Sequence, residues 1–159
     1  MLAAVVLVSG CAMKRIENGV YYSSKGYRVT IPRGEWTLVD ESPADLTLRH
    51  RASPAGMAVN AVCEGSAPRR APGVLARQLQ IGLRDRRVIE RAPVEVAGRP
   101  ASRTVIEGRL EDSTARARIE SLSMQDGRCL YDFLYVAPPA TFEATRSDFT
   151  RFVDSFRTE

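Results

Sequence analysis

Cys11 is the residue whose neighbours most specifically indicate a chemical role in this 159-residue chain. It ends an apolar stretch that begins at Met1, and the small residues Ser9 and Gly10 come directly before it. Small residues let an extended segment enter the active site of a signal peptidase, and a cysteine thiolate is a nucleophile that can take up diacylglycerol. The spacing therefore predicts cleavage before Cys11 and acylation of its sulfur.

The segment Val8–Cys11 resembles the lipobox of bacterial lipoproteins, in which an aliphatic residue and two small residues precede the cysteine. The chain then divides into a signal peptide, a tether and one folded domain, over residues 1–10, 11–18 and 19–159. Two or three acyl chains on Cys11 would hold the protein stably on a bacterial envelope membrane, facing the periplasm. Ala12 is not the Asp that retains enterobacterial lipoproteins in the inner membrane, so the outer membrane is slightly favoured.

Other interpretations of the N-terminal stretch are weaker. Residues 1–10 contain no Lys or Arg, although secretory signals begin with basic residues, so we expect a basic segment upstream of the first residue. A buried strand of a cytosolic protein is the alternative. A transmembrane helix is disfavoured because Lys14 and Arg15 end the apolar run far short of the roughly twenty residues needed to span a bilayer.

Cys63 and Cys129 remain as an even pair once Cys11 is acylated. In an oxidising compartment this pair favours a disulfide, which would close a long loop and contribute a few kcal/mol in the chain-entropy model. The alternative is two buried, reduced cysteines that pack as small apolar residues. Zinc is not indicated, because it needs three or four ligands and these cysteines form no Cys-x-x-Cys pair with His50 nearby.

The remaining polar residues form no catalytic set. His50 is the single histidine, lies between Arg49 and Arg51 on a predicted strand and has no neighbouring acid to orient it. The chain contains no Gly-x-Ser-x-Gly elbow, Walker loop or dinucleotide-binding fingerprint. Glu111 and Asp112 are adjacent acids in a predicted turn, where acids commonly form local hydrogen bonds. We therefore predict no enzyme activity, no cofactor and no metal site.

Asp132 is the polar residue least expected from its surroundings, because it lies within the aromatic and aliphatic run Leu130–Val136. Strand alternation places the three aromatic residues on one face and Asp132, with aliphatic residues, on the other. An acid on an apolar face under a helix costs several kcal/mol unless it has a partner. Two interpretations stay open: an acid paired with an arginine or exposed near an edge, and a polar anchor inside a binding cleft.

The elements that position these residues are mainly strands joined by hairpin turns. Alternating patterns predict strands over Gly19–Tyr22, Tyr27–Ile31, Leu46–Arg51, Met57–Cys63, Val94–Val96, Ser102–Leu110, Ala115–Met124 and Arg128–Val136. The last four make a meander, and Asp126-Gly127 predicts one of its turns because both residues tolerate positive φ. Helical spacing predicts helices over Val74–Leu83 and Thr141–Phe156, the second with a stripe of phenylalanines for the core. The predicted class is α+β, an antiparallel sheet covered by helices.

Composition indicates one globular domain with a weakly basic surface. The chain is 44% hydrophobic and 26% charged, with a formal charge of +4. Its arginines are scattered between acids and lie apart from the aromatic residues, whereas nucleic-acid binding needs a basic stripe with stacking aromatics. Nucleic acid is therefore not an expected partner.

The order of elements and two local motifs resemble PsbP-like (Mog/PsbP-type) domains. Tyr27–Gly34 followed by Trp36 is similar to the family's opening strand with its Pro-x-Gly turn, and Phe149–Phe156 is similar to its terminal helix. The resemblance covers Tyr21 to Phe156 and implies an α/β/α sandwich. It also implies binding to a larger machine, as in the lumenal protein that supports photosystem II and a Ran-binding transport factor. The family's proposed metal-binding histidines have no counterpart, so no site residue is carried over.

These observations together predict a non-enzymatic lipoprotein that serves as an accessory or assembly factor for a membrane-associated complex. Its expected contacts are the membrane, through Cys11, and a protein partner in the cell envelope. The alternative is a carrier for a small or lipidic ligand held between the sheet and a helix. A hydrolase with an unrecognised site is the weakest hypothesis.

Overall fold

The computed structural model describes residues 15–65 and 82–159 of the chain. These residues form two antiparallel sheets and one α-helix. The strands are β1 (Arg15–Glu17), β2 (Val20–Ser23), β3 (Tyr27–Thr30), β4 (Trp36–Leu38), β5 (Leu46–His50), β6 (Gly56–Cys63), β7 (Leu83–Val96), β8 (Arg99–Leu110), β9 (Arg116–Asp126), β10 (Cys129–Ala137) and β11 (Arg157–Thr158). The helix α1 spans Phe142–Asp154 and follows a 3-10 turn over Pro139–Thr141.

The smaller sheet has the strand order β1-β2-β3-β11. Its first hairpin turns at Asn18 and Gly19, with φ of 50° and 77°, a conformation that glycine adopts without steric cost. Arg15–Glu17 pairs with Val20–Tyr22, so residues predicted to belong to the tether form an edge strand instead. An alternating run as short as Arg15–Glu17 carries little pattern of its own, so the sequence does not indicate this strand.

The larger sheet has the order β4-β5-β6-β10-β9-β8-β7 and contains the predicted meander. β7 is much longer than predicted, because it begins at Leu83 rather than at Val94. Leu83, predicted to end a helix, pairs with Leu110. A Cβ on Gly108 would come within 3.2 Å of the Leu83 Cβ, so the glycine permits this close packing. The rest of that predicted helix, apart from Gly82, lies outside the described residues.

The hairpin between β9 and β10 is present, but its turn is shifted by one residue from the prediction. Asp126 ends β9, and only Gly127, with φ of 58°, has the predicted positive φ. The Asp126 carboxylate pairs with Arg99 at 2.9 Å and accepts a hydrogen bond from the Thr158 hydroxyl. These contacts favour Asp126 within the strand.

α1 covers one face of the larger sheet with the predicted stripe, whose members Phe142, Phe149, Phe152 and Val153 are buried. Phe149 stacks on Tyr135 of β10 at 5.4 Å between ring centroids, and the Trp36 indole donates a hydrogen bond to Asp148 of the helix. Burying each phenylalanine contributes about 1.5–3 kcal/mol. The described residues contain only this α-helix, so the expectation of a sheet covered by helices is met in part.

The smaller sheet packs beside α1 on the same aromatic face. Tyr27 and Phe156 both contact Tyr131 of β10, with ring centroids 5.6 Å and 4.9 Å from it. The opposite face of the larger sheet has its own buried cluster of Ala58, Ile106, Ile119 and Leu134. The two faces therefore differ in chemistry, with aromatics on one and small aliphatic residues on the other.

Candidate functional site

Asp132 lies in the middle of the larger sheet, on the face opposite α1. Its strand, β10, has β6 on one side and β9 on the other, and the residue is 4% exposed. Asp132 is therefore not exposed near a sheet edge, which is one of the two positions expected for a paired or solvated acid. The helix that follows β10 covers the aromatic face and not the face of Asp132.

A row of polar residues crosses four strands at this point. Ser102 of β8 pairs with Ser123 of β9, and Ser123 in turn pairs with Asp132. On its other side Asp132 pairs with Asn60 of β6. The Ser123 hydroxyl donates a 2.6 Å hydrogen bond to the Asp132 carboxylate. This contact stabilises the acid within a polar row that crosses a face whose buried cluster is aliphatic.

A shallow depression of about 280 Å³ adjoins this row. It is lined by Pro100, Ala101, Ser102, Ser123, Met124, Gln125 and Leu130. Sites for drug-sized ligands usually enclose about 300–1,000 Å³ and bury most of the ligand. The depression is wide open and its volume falls just below that range, so the role of Asp132 as a polar anchor in a binding cleft stays a prediction.

Two buried glutamates on the α1 face form arginine clusters that the sequence analysis did not single out. Glu107 of β8 accepts hydrogen bonds from Arg116 and Arg118 of β9 at 2.9–3.2 Å. The hydrogen bonds from Arg118, followed by those from Arg116, lower the pKa of Glu107 from its ordinary value. The carboxylate is therefore ionised at neutral pH, with both oxygens engaged.

The second cluster joins α1 to the sheet through Glu120 of β9. Arg103 donates to one Glu120 oxygen at 2.5 Å, and Arg146 of α1 donates to the other at 2.8 Å. Arg103 also pairs with Glu90 of β7. The hydrogen bond to Glu120 raises the pKa of Arg146 above its ordinary value. Both clusters pair one carboxylate with two arginines, an arrangement that suits structural pairing.

A cleft of about 220 Å³ lies between α1 and the sheet, next to the Glu120 cluster. Its lining includes Leu122, Phe149 and Val153 with the charged groups of Arg103, Glu120 and Arg146. This is the place where a ligand between sheet and helix was predicted. The volume falls below the usual range for small-molecule sites.

His50, the single histidine, lies beside Trp36 with 5.0 Å between ring centroids. Its Nδ1 atom is 3.0 Å from the hydroxyl of Ser53 in the following turn. No carboxylate in the two described ranges is hydrogen-bonded to this ring. The same ranges hold no group of three or more His, Cys, Asp or Glu that could bind a metal ion.

The structure contains the Cys63–Cys129 disulfide, which connects β6 to β10. The two residues are direct partners in the strand register, with their Cα atoms 4.0 Å apart. Close by, Asp45 accepts hydrogen bonds from the Lys25 ammonium at 2.6 Å, the Tyr27 hydroxyl and the Ala61 backbone. Burial, together with the charge of Asp45, raises the pKa of Tyr27. This network fastens the smaller sheet to the larger one.

Comparison with known proteins gives matches among solved structures alone, since no family model and no curated protein sequence matches the chain. The solution structure of cyanobacterial PsbP (CyanoP) from Synechocystis sp. PCC 6803 is 14% identical over 98% of both chains, with a TM-score of 0.59. LpqN of Mycobacterium tuberculosis, described as involved in cell envelope biogenesis, is 10% identical over 87% of this chain and 88% of that one, with a TM-score of 0.61. The chain has a PsbP-like fold.

The Ran-binding protein Mog1p of Saccharomyces cerevisiae also has the PsbP-like fold, at 10% identity over 91% of this chain and 96% of that one and a TM-score of 0.59. The predicted resemblance is thus confirmed as a likeness of fold. Identities this low carry no binding or catalytic residue from one PsbP-like protein to another. No described helix of this PsbP-like chain has the length and apolar character needed to cross a membrane.

The glutamate–arginine clusters could not be singled out from sequence because their members come from separate elements. Arginine and glutamate on strand faces are usually solvated, and a pattern of alternation does not distinguish a solvated pair from a buried one. One signal in the sequence could have indicated the Glu107–Arg118 pair. The turns of the meander determine its register, and this register places the two residues on the same face of neighbouring strands. Cys11 and its lipobox lie outside the described residues.

Proposed function

We propose that this protein is a lipid-anchored, non-enzymatic component of the bacterial cell envelope that serves as an accessory or assembly factor for a membrane-associated complex. The observation that carries the proposal is the PsbP-like fold in a chain whose lipobox cysteine is followed directly by the folded domain. The anchor at Cys11 places the domain at a membrane surface. The fold supplies a rigid body that can contact other proteins there.

Two similar structures support a binding role. LpqN is described as involved in cell envelope biogenesis, and Mog1p as a Ran-binding protein. Neither description names a reaction. In this chain the two buried glutamates on the α1 face are each paired with two arginines, an arrangement that suits a structural role.

The disulfide supports an envelope location. Structural disulfides form and persist in oxidising compartments such as the periplasm, and they are rare in the bacterial cytosol. Cys63 and Cys129 are also in direct register, so the bond needs no rearrangement of the strands. The facing of the domain toward the periplasm, and the slight preference for the outer membrane, remain part of the proposal.

A ligand carrier is the second candidate, and the cleft beside Glu120 is the observation that favours it. At about 220 Å³ this cleft accommodates a small polar molecule more readily than a lipid chain. The accessory role is preferred because the cleft's arginines and glutamate already satisfy one another.

The test is in-cell cross-linking of the full-length protein, followed by affinity purification from membranes and mass spectrometry. We expect one envelope protein in near-stoichiometric amount, lost in the Cys11→Ser variant and kept in the Ala12→Ser control. Labelling with an alkyne analogue of palmitate should mark the wild type and the control but not Cys11→Ser. Fractionation of the wild type wholly to the cytosol, or recovery of no specific protein, would contradict the proposal.

A further inference from the structure

The N-terminal end of the described domain identifies one end of the larger sheet, here called the anchor end. Arg15 begins β1 beside the turn between β2 and β3, and Gly26 of that turn accepts a hydrogen bond from the backbone of Glu159. The neighbouring Thr158 contacts Asp126, which pairs with Arg99. The turns that close the β7–β8 and β9–β10 hairpins therefore lie at the same end of the molecule as Arg15.

The opposite end of the sheet lies further from Arg15, the first described residue after Cys11, than the anchor end does. Four residue steps separate Cys11 from Arg15, a span of at most about 14 Å. Ile106 is seven steps along β8 from Arg99, which is roughly 24 Å at about 3.4 Å per residue. Under the proposed anchoring at Cys11, the anchor end lies nearest the membrane and the far part of β7 and β8 lies further from it.

That far part carries most of the exposed large apolar residues. Within the described ranges these are Val88, Ile89 and Leu110 of β7 and β8, exposed by 48%, 42% and 41%, and Leu38 on the other edge of the sheet. Val88 pairs with Ile106, and Leu110 lies four residues further on the same face of β8. We name as the distal patch the exposed side chains along this edge, which project on both faces of the sheet: Arg87 on the α1 face, Val88, Arg91 and Leu110 on the opposite face, and Ile89 at the register shift.

Arginines surround the apolar residues of the distal patch. The stretch 84–91 contains four arginines and two acids, and both acids are already engaged. Asp85 pairs with Arg109, and Glu90 pairs with Arg103. Arg87 and Arg91 are exposed and form no ion pair within the described residues. The patch therefore has apolar contact area with an excess of positive charge, which is complementary to an acidic surface.

The edge formed by β7 is better suited to contact a partner through its side chains than to pair with an additional strand from that partner. The β7 ladder has register shifts between Arg84 and Arg87 and between Val88 and Glu90. Pro93 further along β7 has no N–H group to donate. Bulges, proline and charge are the features by which proteins block edge-to-edge strand pairing.

We propose that the distal patch is the docking surface for an acidic face of a protein partner in the envelope, an inference that rests on the proposed anchored accessory role. The partner's carboxylates pair with Arg87 and Arg91, and an aliphatic spot on its surface covers Val88 and Ile89. A geometry that holds this surface away from the membrane leaves it open to a protein in the periplasm.

Site-specific photo-cross-linking in cells tests the docking surface. A photoreactive phenylalanine analogue is placed at position 89 in the full-length protein, and at position 38 in a matched control of similar exposure on the opposite edge. We expect one protein adduct from position 89 and none from position 38. Mass spectrometry of the adduct should locate the cross-link on a surface segment rich in Asp and Glu.

Charge reversal gives a second, independent measurement on the same adduct. The double variant Arg87→Glu and Arg91→Glu should reduce its yield about tenfold or more, since like charges then face each other. The control pair Arg28→Glu and Arg49→Glu, exposed arginines on β3 and β5, should leave it unchanged. An equal loss in both pairs would overturn the proposal, and so would an unchanged yield in the distal variant.

The remaining outcomes separate this proposal from the proposed function. If affinity purification recovers a Cys11-dependent partner while position 89 gives no adduct, the distal patch is wrong and the accessory role stands. If neither experiment finds a protein, both are wrong. An adduct with a second copy of this chain, or with phospholipid, overturns the assignment to an acidic protein.

Discussion

The two ends of the larger sheet are held together by different chemistry. At the anchor end a disulfide, the Asp45 network and the rings of Tyr27, Tyr131 and Phe156 join both sheets. At the distal end β7 is an outer strand with exposed arginines, and its ion pairs lie at the surface. Surface pairs contribute little to stability, whereas buried rings and cross-links contribute several kcal/mol. The comparison indicates that buried rings and a cross-link stabilise the anchor end, whereas the distal end presents exposed side chains.

The largest expected effect comes from removing a ring at the anchor end. Phe156 contacts Tyr27, Tyr131 and Phe133, so Phe156→Ala leaves a cavity among three aromatic rings. We expect a loss of about 3–5 kcal/mol in the free energy of unfolding, measured by urea denaturation. Ile89→Ala in the distal patch is the control and should stay within about 0.5 kcal/mol. Similar losses in both variants would show that the two ends do not differ in their contribution to the free energy of unfolding.

The disulfide is the next largest contribution. Replacing both Cys63 and Cys129 by alanine should lower the free energy of unfolding by about 2–4 kcal/mol, because the unfolded chain regains the freedom of a long loop. Thermal unfolding with and without a reductant measures this. The reductant should lower the Tm of the wild type and leave that of the double variant unchanged. A wild-type Tm that is the same with and without the reductant would contradict this prediction.

Asp45 links the two sheets, and replacing it should have a smaller effect than removing the Phe156 ring or the disulfide. Asp45→Ala leaves the Ala61 backbone N–H and the Tyr27 hydroxyl without their acceptor, a cost of about 1–3 kcal/mol. Asp40→Ala, in the exposed loop before β5, is the matched control and should be close to neutral. Urea denaturation of the two variants gives the comparison, and equal stability would show that the network is dispensable.

The sequence predicts most individual strands and the last helix well, but it does not predict which residues of distant strands pair with each other. Alternation and turn residues identify the meander, and the spacing of Phe149, Phe152 and Phe156 identifies the buried face of the last helix. The β6–β10 pairing that brings Cys63 opposite Cys129 joins strands far apart in the chain, so no local pattern indicates its register. The disulfide was therefore predicted only from the parity of cysteines and from the compartment.

β7 shows why an edge strand is difficult to recognise. Its residues from Arg84 to Arg91 have no apolar alternation, because the strand has a neighbour on one side only and its register is interrupted twice. The features that hide the strand in the sequence are thus its charge and its irregular register. Lys25 and Asp45 were missed for a different reason, since a turn lysine and a loop aspartate are usually solvated.

Asp132, between the two ends, should behave as part of the sheet. Asp132→Asn alters the hydrogen bond that Ser123 donates and should cost about 1–3 kcal/mol in the free energy of unfolding while partner recovery from membranes is unchanged. Ser102→Ala, in the same polar row, is the control and should have a smaller effect. Little change in stability with loss of binding would instead establish Asp132 as a binding residue.

Low pH should weaken the distal end selectively, because the buried carboxylate of Glu107 lies there and is paired with two arginines. The pKa of Glu107 is lowered from 4.5 by hydrogen bonds from Arg118 and Arg116. A lowered pKa means that the carboxylate stabilises the fold above the unfolded-state pKa and loses this contribution as pH falls through the folded-state value. The difference in unfolding free energy between wild type and Glu107→Gln should therefore be constant near neutral pH and shrink below about pH 4.5.

Urea denaturation from about pH 7 to about pH 3 measures this difference, with Glu35→Gln in an exposed turn as the control for a glutamate without arginine partners among the described residues. The cost of Phe156→Ala should be independent of pH over the same range, because neither the phenylalanine ring nor the rings it contacts gain or lose protons there. If the Phe156→Ala cost falls in parallel with that of Glu107→Gln, acid acts on the whole domain and the two ends are not energetically distinct. If only the Glu107→Gln difference shrinks, acid removes ion pairing from the distal end while the aromatic contacts hold the anchor end.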